Sequence, residues 1–255
     1  MVSLEAPQFV LLAGAALVAG AVNAVAGGGS LVSFPALLAV GFPALRANVT
    51  NTVALCPGYL GGSLGYRREL AGQGARARAL GASSVAGALL GAFLLLLSPE
   101  GLFEAVVPWL ILLACGLLAA QPWLARMVRR SSERPGAARR PLALHASQFL
   151  AGAYGAYFGA GLGIMTLAIL AIFVADRMQR LNALKGLLSL LVNLVAAAYF
   201  ALLAEVAWSA VLVMMVASLL GGQLGVLLAR RLDDRLLRLL VVAFGLVVAV
   251  HLLTS

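Results

Sequence analysis

The feature that most narrows what this chain can fold into is a succession of apolar runs with little polar chain between them. They cover residues 8–26, 30–40, 49–66, 77–97, 105–124, 142–158, 164–175, 183–203, 207–229 and 236–253. A helix that crosses a bilayer needs about 20 such residues. Most of the runs reach that length. The runs 30–40 and 164–175 hold only about a dozen residues each, which suits broken or re-entrant helices; these are tolerated where they line protein or a cavity.

Hydrophobic residues make up 63% of the chain and charged residues 11%, against about 25% charged in a soluble domain. Only helices and closed barrels satisfy the backbone in lipid. A barrel would alternate polar and apolar residues, and these runs do not. The expected fold class is therefore an all-α polytopic membrane protein. The first basic residue is Arg46, so the positively charged start of a signal peptide is missing and the N-terminus is expected to be translocated. Cys56 and Cys115 both sit in apolar runs, which suggests neither a disulfide framework nor a metal site.

The net charge is +9, and its distribution points to topology. Arginines cluster at Arg67, Arg68, Arg76 and Arg78, at Arg126, Arg129, Arg130, Arg134, Arg139 and Arg140, and at Arg230, Arg231, Arg235 and Arg238. Each cluster falls between apolar runs, as cytoplasmic loops do; nucleic-acid binding would need them on one soluble face. The turns near Glu100, Glu104 and Glu205 lack Lys and Arg and are expected outside. Counting from these anchors places both termini outside. The division is a first transmembrane repeat over 1–125, a cytoplasmic linker over 126–141, read as flexible, and a second repeat over 142–255.

The repeat itself is legible. Shifted by 134 residues, Ala26, Gly27 and Gly29 fall on Ala160, Gly161 and Gly163. Arg46 and Asn48 fall on Arg180 and Asn182, and Ser84, Gly87 and Gly91 on Ser218, Gly221 and Gly225, without a gap. Each unit holds about five segments. An odd number inverts the second unit in the membrane, as the loop charges also require, and inverted repeats mark secondary transporters whose sites lie near the midplane.

The candidate site residues follow from this frame. Gly27, Gly28, Gly29 and Ser30 precede one short segment; Gly161 and Gly163, in the run from Gly159, precede the other. Glycine permits a sharp turn and leaves amide groups bare, and the N-terminus of the following half-helix carries partial positive charge with free N–H donors. Close helix packing would also place glycines here. After the short segments come Arg46, Asn48, Thr50 and Asn51 in the first unit, and Arg180, Asn182 and Lys185 in the second. On a helix Lys185, Ser189 and Asn193 share one face. Lys185 is the chain's sole lysine; inside an apolar run it is a functional candidate, unless it snorkels to the interface. Asn23, one turn before the glycines, lines the same region. Asp176 is expected to pair with Arg177 or Arg180, and His145 and His251 to be structural. No carboxylate lies deep in a run, so a proton-coupled mechanism has no evident carrier.

At these residues the sequence resembles the sulfite exporter TauE/SafE family of membrane permeases. The resemblance rests on AVAGGGSLVSFPALLAVGFP, on Ala47–Asn51 as Ala-x-x-Thr-Asn, on GAGLGIM, on Lys185, Ser189 and Asn193 as Lys-x-x-x-Ser-x-x-x-Asn, and on Glu205–Trp208. It covers about residues 8–253. Ser30 stands where the family's glycine run often continues. The resemblance implies export or import of small sulfur oxyanions and organosulfonates, such as sulfite or sulfoacetate, across a bacterial cytoplasmic membrane. No Walker loop, Gly-x-Ser-x-Gly or His-Glu-x-x-His motif is present, so neither ATP hydrolysis nor another enzyme activity is expected, and no cofactor or metal is implied. The expected partners are the anion, the bilayer, a coupling ion left open between proton and sodium, and a homo-oligomer. A channel-like anion pore and a non-transporting scaffold subunit are the alternatives.

Overall fold

The structure, a computed structural model, describes residues 4–25, 27–65, 68–132, 141–228 and 234–254. Among them there are ten helices and no strand: α1 Ala6–Val25, α2 Ser30–Ala39, α3 Ala44–Gly65, α4 Gly74–Leu97, α5 Glu100–Ser132, α6 Pro141–Tyr157, α7 Leu162–Phe173, α8 Met178–Leu203, α9 Trp208–Leu228 and α10 Asp234–Thr254. Helix α5 extends into the 126–141 linker and carries Arg126–Ser132 as its last turns. Residues 133–140 of that linker lie outside the described residues, as do Tyr66, Arg67, Arg230 and Arg231.

Helices α1, α4, α5, α8 and α9 are long and apolar enough to cross a membrane. The short helices are not. With 10 residues in α2 and 12 in α7, they rise about 15 and 18 Å at 1.5 Å per residue, against about 30 Å of hydrocarbon. Glycine and proline set their limits: α2 stops at Gly41, whose φ is +93°, where Phe42 N–H returns to the Leu37 carbonyl and Pro43 follows.

Helix α3 corrects the reading of 49–66 as an ordinary apolar span. It begins at Ala44, is 22 residues long, and is not apolar enough to cross a membrane on composition. The cause is Asn48, Thr50, Asn51 and Thr52, all 6% exposed or less. These amides and hydroxyls would be costly against lipid, and α3 instead packs among α1, α2, α8 and α9.

The helix packing repeats with the sequence. Helix α1 packs most closely on α9 and α4 on α6; α3 meets α9 as α8 meets α4; α3 and α8 also meet each other, as do α5 and α10. Exchanging the first five helices for the last five maps this set onto itself. Small residues make the closest contacts. A β-carbon on Gly87 would overlap the Phe149 carbonyl, and one on Gly221 the Leu17 carbonyl. Such backbone approach is what small residues provide in membranes, where helices gain nothing from leaving water.

These contacts also correct the gap-free register. Gly20 faces the Ser218 carbonyl and Gly152 the Ser84 carbonyl, which relates α1 to α6 by 132 residues (152 − 20), while α3, α4 and α5 start 134 before α8, α9 and α10. The difference lies at the front of α7, two residues longer than α2.

At one end of the bundle the halves are tied by charge. Asp176, between α7 and α8, accepts from Arg76 of α4 and Arg180 of α8, both at 2.9 Å, and from its neighbour Arg177 through the backbone N–H. Arg180 also donates to the Ala71 carbonyl, and Gln73 to the Arg180 carbonyl. Burial pushes the Asp176 carboxyl up, but the bonds from Arg177, Arg76 and Arg180 outweigh it and hold it below its ordinary value of 3.8.

Two predictions follow from packing and charge. Gly87→Ala or Gly221→Ala should destabilise the protein by about 1–3 kcal/mol, as overpacking does, seen as a lower Tm in detergent. Gly14→Ala and Gly116→Ala, where a β-carbon meets nothing within 4 Å, should leave Tm unchanged or slightly raised. Because the folded pKa of Asp176 is depressed, its stabilisation is fully present above the unfolded value near 3.8 and is lost as pH falls through the lower folded value. Melting curves of wild type and Asp176→Asn should differ at about pH 6 and converge as the pH falls through the depressed folded value; a gap that persists in acid would contradict this.

Candidate functional site

The two glycine-rich turns are built alike and touch. Helix α1 runs out at Gly27, φ +81°, whose N–H returns to the Val22 carbonyl at 3.0 Å. Helix α6 runs out at Gly159, φ +82°, whose N–H returns to the Tyr154 carbonyl at 3.3 Å. Side chains are strained at such angles. The turn after α1 then meets the start of α7: a β-carbon on Gly27 would lie 3.2 Å from the Gly163 Cα.

Beside this contact is a cavity of about 40 Å³, room for about three waters at 10–15 Å³ each. The end of α1 contributes Asn23, Ala24 and Gly27, and the second half of α3 contributes Gly58, Tyr59 and Ser63. The second unit contributes Gly163 from α7, with Asn182, Lys185, Gly186 and Ser189 from α8.

Lys185 is the one charged residue in this lining. The stem of its side chain passes over Gly163, where any β-carbon would sit 3.8 Å from Cδ. Among the described residues it has no ion-pair partner. Around it are polar atoms that are buried and have no protein partner: Asn23 Nδ2, Ser63 Oγ and Ser189 Oγ. Each such orphan costs about 1–3 kcal/mol; other buried atoms without a partner, among them Arg46 Nε, Asn48 Oδ1, Asn51 Oδ1 and Thr166 Oγ1, lie away from this wall. The Tyr59 hydroxyl faces the Asn193 and Asn23 side chains.

The remaining candidates lie elsewhere. Gly28 packs on Leu118, and Gly161 on Leu117 and Ala114. Gly29 lies against the Ala19 carbonyl, and its N–H, expected to be bare, donates to Asn23 Oδ1 at 2.7 Å. Asn23, six residues earlier, reaches over the turn and takes that donor. Ser30 is buried at 7% exposure outside the cavity lining. Asn48 Nδ2 donates to the Tyr157 carbonyl, Thr50 Oγ1 accepts the Ala207 N–H, and Asn51 is buried at 1% exposure. Arg46 lies over the Phe42 ring at 5.8 Å, and Arg180 is held in the Asp176 cluster. Asn193 donates to the Ser189 carbonyl at 2.9 Å, so it braces the cavity wall from behind. His145 bonds Ser83 at 2.7 Å, a link between α4 and α6.

Gly58, Tyr59, Ser63 and Gly186 were missed from sequence. A signal did exist for Tyr59: it falls on Asn193 at the 134-residue shift. The run after Pro57 offers no comparable cue for Ser63.

The family described as sulfite exporter TauE/SafE matches residues 12–252. A probable membrane transporter protein of Haemophilus influenzae is 31% identical over 88% of this chain and 86% of its own. A probable membrane transporter protein of a Sinorhizobium species, ORF9, is 26% identical over 94% of this chain and 90% of its own. The probable membrane transporter protein YfcA of Escherichia coli K12 is 25% identical over 93% and 87%. No solved structure matches the chain. Matched over nearly its whole length, the chain belongs to the sulfite exporter TauE/SafE family of membrane transporters.

Proposed function

We propose that this membrane transporter moves a small anion, a sulfur oxyanion or an organosulfonate such as sulfite or sulfoacetate, out of the cell by alternating access. The observation that carries the reading is the cavity wall: an ammonium group without an acidic partner among the described residues, surrounded by orphaned polar atoms of Asn23, Ser63 and Ser189. A cation needs no such surroundings if it serves packing alone, and an intramembrane ionisable group is by default functional.

Each half supplies part of the wall, so relative motion of the halves would change access to it. Five helices per unit place the second unit upside down relative to the first. The packing set that maps onto itself supports the duplication, and the arginine-rich loops after α3, α5 and α9 support the inversion, with those loops cytoplasmic. In this orientation both termini are outside, the membrane is the bacterial inner membrane, and the Arg76–Asp176–Arg180 cluster closes the cytoplasmic end. Arg46, over Phe42, is its counterpart outside. No metal-binding cluster of His, Cys, Asp or Glu occurs among the described residues, and the coupling ion, proton or sodium, has no assigned carrier.

In proteoliposomes, Lys185→Met should reduce sulfite or sulfoacetate flux by about tenfold or more, since charged hydrogen bonds contribute about 1.5–3 kcal/mol. Ser189→Ala should reduce it severalfold. Gly116→Ala should match wild type. Wild-type flux in Lys185→Met would remove the lysine from the site. Flux that rises linearly without saturation or counterflow would replace alternating access with a channel.

A further inference from the structure

Asn23 sets the hydrogen-bond polarity at its side of the cavity. An asparagine amide ordinarily offers a donor and an acceptor and can be turned either way. Here it cannot turn. Oδ1 accepts the Gly29 N–H at 2.7 Å, and reversal would set two donors against each other. That leaves Nδ2 turned toward the Tyr59 hydroxyl, in a side chain 8% exposed and without a hydrogen-bond partner among the described residues, on the wall of the cavity. The turn therefore converts a neutral amide into a pure donor. The charged group in the same wall is Lys185, also a pure donor. Ser63, Ser189 and Tyr59 add hydroxyls, and Asn182 an amide, that accept as well as donate. Among the described residues no carboxylate lines the cavity.

We propose that Asn23 is a specificity-determining residue, and that with Lys185 it restricts the site to oxyanions carrying no ammonium group. This rests on the transport reading above. A small substrate in this cavity lies within reach of these groups. A second, cationic end would meet another ammonium and an amide N–H, with no anion to balance it, and like-charge contact in a desolvated site is strongly unfavourable. The duplication gives no acceptor in compensation. Under the 132-residue relation that joins α1 to α6, the counterpart of Asn23 is Gly155 (155 − 23), which packs on Leu162 and Val192.

Isethionate and taurine isolate the effect, because they share an ethanesulfonate frame and differ in a terminal hydroxyl against an ammonium. Thermal shifts of the purified full chain are read with sulfite, isethionate and taurine. Sulfite and isethionate should raise Tm, with taurine at least about tenfold weaker in apparent Kd, the scale set by losing one charge-assisted contact. Asn23→Asp keeps an oxygen for the Gly29 N–H but replaces the donor by a second carboxylate oxygen. Its Tm without anion should hold, while its isethionate response falls by about tenfold or more. Taurine equal to isethionate in wild type overturns the proposal, as does an undiminished isethionate response in Asn23→Asp. Should that variant fail to fold, the wild-type pair alone decides. No response to any anion overturns the transport reading and this proposal with it, an outcome distinct from a failure of taurine discrimination alone.

Discussion

The centre of this bundle depends on the backbone of Gly27 lying against the backbone of Gly163. In water two chain segments are driven together by apolar burial, but in lipid that drive between helices is absent. What remains is close van der Waals contact and hydrogen bonding, and both require that nothing project between the backbones. A methyl group at Gly27 would meet Gly163 at 3.2 Å, tighter than ordinary contact, and would also strain the left-handed turn. The same two glycines line the cavity. The feature that holds the short helices together is thus also the floor of the candidate site, and the site could not be widened there without separating the halves.

Much of this was legible from residues alone, for identifiable reasons. The helical class followed from unbroken apolar runs, since lipid leaves the backbone so few choices. The short helices followed from glycine and proline at their ends. Lys185 and Ser189, which line the cavity, stand out in the sequence because an isolated lysine in an apolar run is conspicuous and a helix places i and i+4 together. What sequence could not give is which polar groups are already satisfied. Gly29 looked like a bare amide and is capped by Asn23; Thr50 looked like a ligand and accepts the Ala207 N–H across 157 residues. Such long-range pairings have no local signature. The register error has a similar origin, because a two-residue extension at the front of α7 is invisible when the flanking run is itself Gly-x-Gly-x-Gly.

The duplication sharpens the remaining contrast between the halves. Lys185 corresponds to Asn51, and Asn182 to Asn48, at the 134-residue shift that α3 and α8 obey. Asp176 corresponds to Phe42, and Arg180 to Arg46. The arginine is thus kept at both ends, while its partner differs: a carboxylate at 2.9 Å in one half and an aromatic ring at 5.8 Å in the other. The scaffold is symmetric and the chemistry is not. A carboxylate contact is sensitive to salt and pH, whereas a cation over a ring is bound less directionally and does not titrate with an acid.

That asymmetry bears on how the two ends would open. Under the 134-residue exchange the wall that carries Lys185 and Ser189 becomes one carrying Asn51 and Leu55, on the part of α3 that is closed by Asn48 to the Tyr157 carbonyl and by Thr50 to the Ala207 N–H. That surface carries an amide and a leucine in place of an ammonium and a hydroxyl. The two corresponding surfaces therefore differ in chemistry, one charged and donor-rich, the other neutral. The halves share a backbone plan, and they differ in the side chains that each brings to the cavity.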